Sequence, residues 1–136
     1  MDRAQLDDMM REKVLFSWNA NTADYRRDRC LHQLFEDQVV QFPQQQAVRC
    51  GSDQLSYEQL NARANQLARA LHKQGARPGQ RIALCLRRSI EMVIAILGVM
   101  KAGCAYVPIA SAYPKDRISF MLSDAEPAIL ITQESL

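Results

Sequence analysis

Met100-Lys-Ala-Gly-Cys-Ala-Tyr-Val-Pro108 changes structural period partway along its length. Before it, Ser89 offers an N-cap, and the residues to about Lys101 are apolar almost all round, which predicts a largely buried helix. After it, Ala105 to Ile109 is a β-rich apolar run and predicts a strand. Ala102 and Gly103 permit a tight turn between the two. Lys101 then falls in the last helical turn, where a cation complements the helix dipole. A lone lysine there also invites a phosphate role, but the dipole reading is the more economical.

Working outward, the strand–helix rhythm continues on both sides. Arg81 to Leu86 reads as a strand, and Pro114 suits the first turn of a helix running to about Ser123. Ala128 to Thr132 reads as a last strand. Strands separated by helical segments imply right-handed βαβ units and a parallel sheet. No obvious cover for the last strand is visible.

Toward the N-terminus, Leu31 to Phe42 places apolar residues at 31, 34, 35, 39 and 42, the pattern of an amphipathic helix that Pro43 ends. Ala47 to Cys50 and Gln54 to Ser56 flank Gly51-Ser52-Asp53, a short hairpin signal. Ser56 and Gln59 form a capping box. Tyr57, Leu60, Ala64, Leu67, Ala68 and Leu71 then line one face of a long helix, and Gly75 is placed to end it. Met1 to about Leu15 can form a polar helix marked by Leu6, Met9, Met10 and Val14. Trp18 to Cys30 has no period and reads as an extended linker. No internal repeat or low-complexity segment is present.

Composition narrows the function classes. A chain of 136 residues is long enough for one core without disulfides or metals. Its 48% hydrophobic and 24% charged residues are those of a globular domain. The net charge is +2, and Lys and Arg are scattered, with pairs such as Arg26-Arg27 and Arg87-Arg88 the longest runs. No basic face for nucleic acid is expected. Cys30, Cys50, Cys85 and Cys104 have no zinc spacing, which predicts reduced thiols and a cytoplasmic setting. The Met92 to Tyr113 segment is long enough for a membrane, but Lys101, Gly98, Gly103 and Pro108 interrupt it, and the pure run to Met100 is too short. No membrane contact is expected.

Three blocks, in order and at matching spacing, resemble the adenylation domains of nonribosomal peptide synthetases. The first is Trp18-Asn19 with Thr22, followed by Leu31-His32-Gln33-Leu34-Phe35-Glu36. It is similar to the linker between a condensation and an adenylation domain and to the first adenylation helix. The second, Leu55-Ser56-Tyr57-Glu58-Gln59-Leu60, is similar to the family's Leu-Thr/Ser-Tyr-x-Glu-Leu. The third is Lys101-Ala-Gly-Cys-Ala-Tyr-Val-Pro-Ile109, continuing to Tyr113-Pro114 and Arg117. In one place the chain departs. The family usually reads Pro-Leu-Asp-Pro before its Tyr-Pro pair, and this chain has Pro108-Ile109-Ala110-Ser111. Relaxed selection in a remnant and ordinary variation both account for that.

The resemblance implies a fold class of α/β: a partial parallel βαβ sheet, the N-terminal portion of an adenylate-forming large subdomain, with an N-terminal hairpin and a linker. It divides the chain into a linker at 1–30 and a truncated AMP-binding portion at 31–136. The family's reaction joins a carboxylate to the α-phosphate of ATP with magnesium. The aminoacyl-adenylate then passes to the phosphopantetheine thiol of a carrier domain. Partners implied are the remainder of the adenylation domain and the condensation and carrier domains.

No catalytic, cofactor-binding or metal-binding residue is assigned within this chain. Adenylation needs phosphate donors and a lysine at the reacting oxygens. The family's loop, Tyr-Thr-Ser-Gly-Ser/Thr-Thr-Gly-x-Pro-Lys-Gly, has no counterpart before Leu136, and Gly98 and Gly103 do not form a Gly-Lys-Ser/Thr cradle. The amino-acid pocket, an ATP-binding aspartate and a catalytic lysine are all expected downstream. Tyr57 is expected to pack its ring on the sheet, Tyr106 and Pro108 to lie in and after a strand, and His32 and His72 on helix surfaces. Asp116 and Arg117 start a helix, with Arg117 pairing with a carboxylate or capping carbonyls.

Alone, such a chain is expected to be inactive. Two other readings remain: a split-enzyme or docking module that binds a separately encoded part of the synthetase, and an unrelated small α/β domain.

Overall fold

The structure is a computed structural model and describes residues 8–24 and 26–133. Its elements are α1 (Asp8–Leu15), a 3-10 turn (Ser17–Asn19), α2 (Leu31–Gln41), β1 (Gln46–Cys50), β2 (Asp53–Ser56), α3 (Tyr57–Lys73), β3 (Arg81–Cys85), α4 (Ile90–Lys101), β4 (Ala105–Pro108), α5 (Lys115–Ala125) and β5 (Ile129–Thr132). The predicted N-terminal helix is described from Asp8 on. Leu6 lies outside the described residues, and Met10 and Val14 are exposed. The 3-10 turn takes in Trp18 and Asn19, the first residues of the segment expected to be extended, and between it and α2 the described residues carry no helix or strand.

Local chemistry sets the helix ends. At the start of α3 the Gln59 amide donates to Ser56 Oγ at 3.3 Å, and the Ser56 amide donates to Gln59 Oε1 at 3.0 Å. This capping box satisfies two donors that an open helix end would leave unpaired. Ser89 Oγ accepts from the Met92 amide at 3.4 Å and starts α4. Both helices close in the same way. Gly75 (φ +92°) and Gly103 (φ +72°) adopt the left-handed conformation. The amides of Ala76 and Cys104 donate back to Leu71 and Val99 at 3.0 and 3.1 Å, and those of Gly75 and Gly103 to His72 and Met100, each at 3.0 Å. These are paired Schellman closures, which need the freedom of glycine at one position. α5 departs slightly from the expected bounds. Pro114 occupies its N-cap with ψ 146° rather than the first helical turn, and the helix runs on to Ala125.

β1 and β2 form the expected antiparallel hairpin, and β3, β4 and β5 form a parallel sheet in the order β4-β3-β5. The chain steps from β3 through α4 to one neighbour, then returns through α5 to the other side of β3. Right-handed crossovers in opposite directions place their helices on opposite faces. The packing follows. Ile82 and Leu84 point into a cluster with Leu71, Ala95 and Val99 from α3 and α4. Ala83 and Cys85 point the other way, against Ile118, Met121 and Leu122 of α5. A second cluster joins Leu55, Leu60, Ala64, Ile90 and Leu97 beneath the hairpin.

One face of the last strand is covered: Ile129 and Ile131 pack on the first cluster beside Leu71. Between that strand and α3 runs a groove lined by Leu67, Ala70 and Gln74. The sequence hides this because α3 and β5 are far apart along the chain. On the opposite face of β5, Leu130 stays 44% exposed.

Candidate functional site

Lys101 ends α4 with its side chain only 5% exposed, and its ammonium pairs with the Glu36 carboxylate of α2. Burial of a charge is tolerated when a partner of opposite sign is held against it. The pair therefore fastens α2 to the end of α4. The dipole reading of Lys101 is compatible with this, but the contact that occupies its ammonium is Glu36. Nothing in the local pattern points to that partner, which lies 65 residues away.

The other residues singled out by sequence resolve into packing. Gly98 sits where α3 and α4 cross, and a Cβ built there would lie 2.8 Å from Leu67 Cδ2 and 3.0 Å from its Cβ. The glycine thus lets two helices approach closely. Gly103 faces Pro78, which a Cβ would meet at 3.3 Å. The Tyr57 ring meets Phe35 of α2, with the ring centroids 5.8 Å apart. Tyr106 and Pro108 both lie within β4, and Tyr106 is 41% exposed. Arg117 stacks over the Tyr113 ring at 4.4 Å, a cation–π contact in place of the expected carboxylate or carbonyl. Asp116 is in the first turn of α5. His32 is half-buried, whereas His72 is exposed and its Nδ1 lies 3.2 Å from the Ala76 carbonyl.

Cys85 and Cys104 are buried free thiols. Burial pushes the Cys104 thiol up, against a smaller opposing backbone hydrogen bond at Gln80. Its Sγ donates to the Arg77 carbonyl at 3.3 Å. A protonated, enclosed thiol is a packing group rather than a nucleophile.

These residues do not converge on a reacting centre. Among the described residues no group of three His, Cys, Asp or Glu side chains could hold a metal. The two glycines that a phosphate loop would need are taken up by Leu67 and Pro78. Neither a glycine phosphate cradle nor a cluster of three metal-holding side chains is formed among the described residues. Among them, no helix is long and apolar enough to cross a membrane.

Comparison with known proteins agrees with this scaffold. A family model described as AMP-binding enzyme matches residues 35–136. Gramicidin S synthase 2 of Brevibacillus brevis is 43% identical over 131 residues, 96% of this chain and 3% of that protein. Gramicidin S synthase 1 of the same organism is 44% identical over 125 residues, 92% of this chain and 11% of that protein. The chain therefore spans a small part of the curated relatives it matches. A nonribosomal peptide synthetase, FmoA3, in its AMPPNP-bound form superposes with a TM-score of 0.81 at 28% identity, over 93% of this chain and 14% of that one. The Klebsiella oxytoca NpsA N-terminal subdomain gives 0.75 at 27% identity, over 79% and 28%. The chain belongs to the AMP-binding enzyme family, and within it corresponds to the N-terminal region of a nonribosomal peptide synthetase adenylation domain.

Proposed function

We propose that this chain supplies the leading part of an amino-acid-activating domain and has no adenylating activity by itself. Residues 31–136 are its share of the AMP-binding fold, and residues 1–30 are the linker that precedes it. The complete domain would use ATP and magnesium to make an aminoacyl-adenylate and hand it to a phosphopantetheine-bearing carrier. Condensation and carrier domains would be its neighbours, in the cytoplasm. The observation that carries the reading is the match over residues 35–136 to AMP-binding enzymes.

The test is amino-acid-dependent exchange of pyrophosphate into ATP. The 136-residue chain alone should give none with any amino acid. A fusion to the remaining adenylation segment of a similar synthetase should restore it. Exchange by the chain alone would overturn the proposal.

A second reading, docking to a separately encoded remainder, is favoured by one observation. Leu130 and Phe120 remain 44% and 68% exposed on β5 and α5. Exposed apolar groups of this kind suit a protein partner. Restoration of exchange by mixing the two parts as separate chains would support that reading.

A further inference from the structure

Away from the sheet ends, α2, α3 and α4 line an open polar depression of about 380 Å3. α2 contributes His32, Gln33 and Glu36, α3 contributes Asn65, Arg69 and His72, and α4 contributes Lys101. The cleft is rich in donors. Its acid, Glu36, is already engaged by Lys101. The side chains of Arg69, His32 and Asn65 have no hydrogen-bond or ion-pair partner among the described residues. Gln33 uses its oxygen to accept from the Cys30 amide at 2.9 Å, so its NH2 group is left over. At His72, a carbonyl can only accept, so the contact to Ala76 puts the proton on Nδ1 and leaves Nε2 for another partner. Lys101 has three donors, and Glu36 is its one ion-pair partner among the described residues.

From this we infer that the α2–α3–α4 cleft binds a compact oxyanion of the phosphate type. The tetrahedral anion would take the guanidinium of Arg69 and the amide NH2 groups of Gln33 and Asn65, beside the charge-neutral Lys101–Glu36 pair. A free guanidinium suits such an oxyanion because its fork of N–H groups matches two oxygens at once. The inference does not depend on the chain's place in an adenylating enzyme. It uses none of the residues an adenylation site would need.

The chain holds two histidines, His32 and His72, and both line this cleft. Their imidazole proton signals in an NMR spectrum are therefore built-in reporters. Inorganic phosphate titrated into the full chain at constant pH and ionic strength should shift both signals to saturation, with a Kd on the order of 1 mM. Arg69→Gln removes one charge-assisted contact from an exposed position and should weaken the site about tenfold. Arg63→Gln, an exposed arginine on the same helix that does not line the cleft, should leave the affinity unchanged. Shifts that fail to saturate, or that potassium chloride reproduces, would overturn the inference. So would an Arg69→Gln chain that binds as tightly as the unaltered one, or equal weakening by both substitutions.

Discussion

The two faces of the β4-β3-β5 sheet are covered to different depths. On one, Ile82 and Leu84 are 0% and 1% exposed beneath α3 and α4, with Val99 fully enclosed between the layers. On the other, Ala83 and Cys85 are 0% and 8% exposed beneath Ile109 and α5, but no residue of α5 is fully buried. Phe120 and Leu130 look outward there. The same strand thus belongs to a finished core on one side and to a thin layer on the other. Two packed helices close a face, and a single short one leaves part of its apolar stripe in water.

Truncating a side chain on each face tests that difference most directly. Leu84→Ala should cost about 2–5 kcal/mol, because the site is enclosed and cannot collapse fully. Met121→Ala, half-buried on α5, should cost about 1 kcal/mol, since water already reaches part of it. Urea unfolding of both variants gives the comparison, and equal losses would mean the two faces are equally closed.

The next effect concerns why the deep face is deep. Gly98→Ala puts a methyl group against Leu67 where the helices cross. Overpacking of this kind costs about 1–3 kcal/mol, and the better helix propensity of alanine returns about 1. A net loss of about 1 kcal/mol is expected. Adding Leu67→Ala should make Gly98→Ala neutral or favourable, a coupling that a thermal-melt double-mutant cycle reads out. Additive losses would show that the close approach is not what the glycine provides.

The smallest effect is electrostatic and sits at the start of α4. The Glu91 carboxyl is held below its ordinary value of 4.5, first by its backbone amide, then by the Ser89 hydroxyl and more weakly by the charge of Arg63, against slight desolvation. A depressed carboxyl pKa adds stability above the unfolded value, and that stability is lost as the pH falls through the folded one. Glu91→Gln should therefore melt slightly lower than the unaltered chain at about pH 6, with the gap closing as the pH falls below the ordinary carboxyl value of 4.5. A gap that persists in acid would assign the effect to packing instead.

Much of this arrangement is legible along the chain, and the legible part is local. Ser56 with Gln59, Ser89, Gly75 and Gly103 each act within a few residues, so their types and spacing reveal helix ends directly. The alternation of strands and helices likewise predicts the parallel sheet. What the sequence conceals is non-local. Glu36 meets Lys101, Leu67 meets Gly98, Phe35 meets Tyr57, and Ile129 and Ile131 join the cluster of Leu71, each across a long stretch of chain that carries no mark of its partner. The candidate site is legible chiefly through its motifs, which lie in a chain that matches the AMP-binding family over residues 35–136.

The turns at Gly79 and Gly103 have a consequence for how the chain tolerates change in length. The Gly79 amide donates to the Gly103 carbonyl at 2.8 Å, and the Ala105 amide donates to the Gln80 carbonyl at 2.9 Å, immediately before Arg81 and Ala105 pair. The two loops are thus hooked to each other at the level where both strands begin, like the zero marks of two scales. One residue inserted between Gly79 and Arg81 would move the strand off its mark, turning Ile82 and Leu84 toward α5 and Ala83 toward α4. Insertions are best borne elsewhere, and the hairpin tip at Gly51–Ser52, exposed and hooked to no other loop among the described residues, is where this fold has slack.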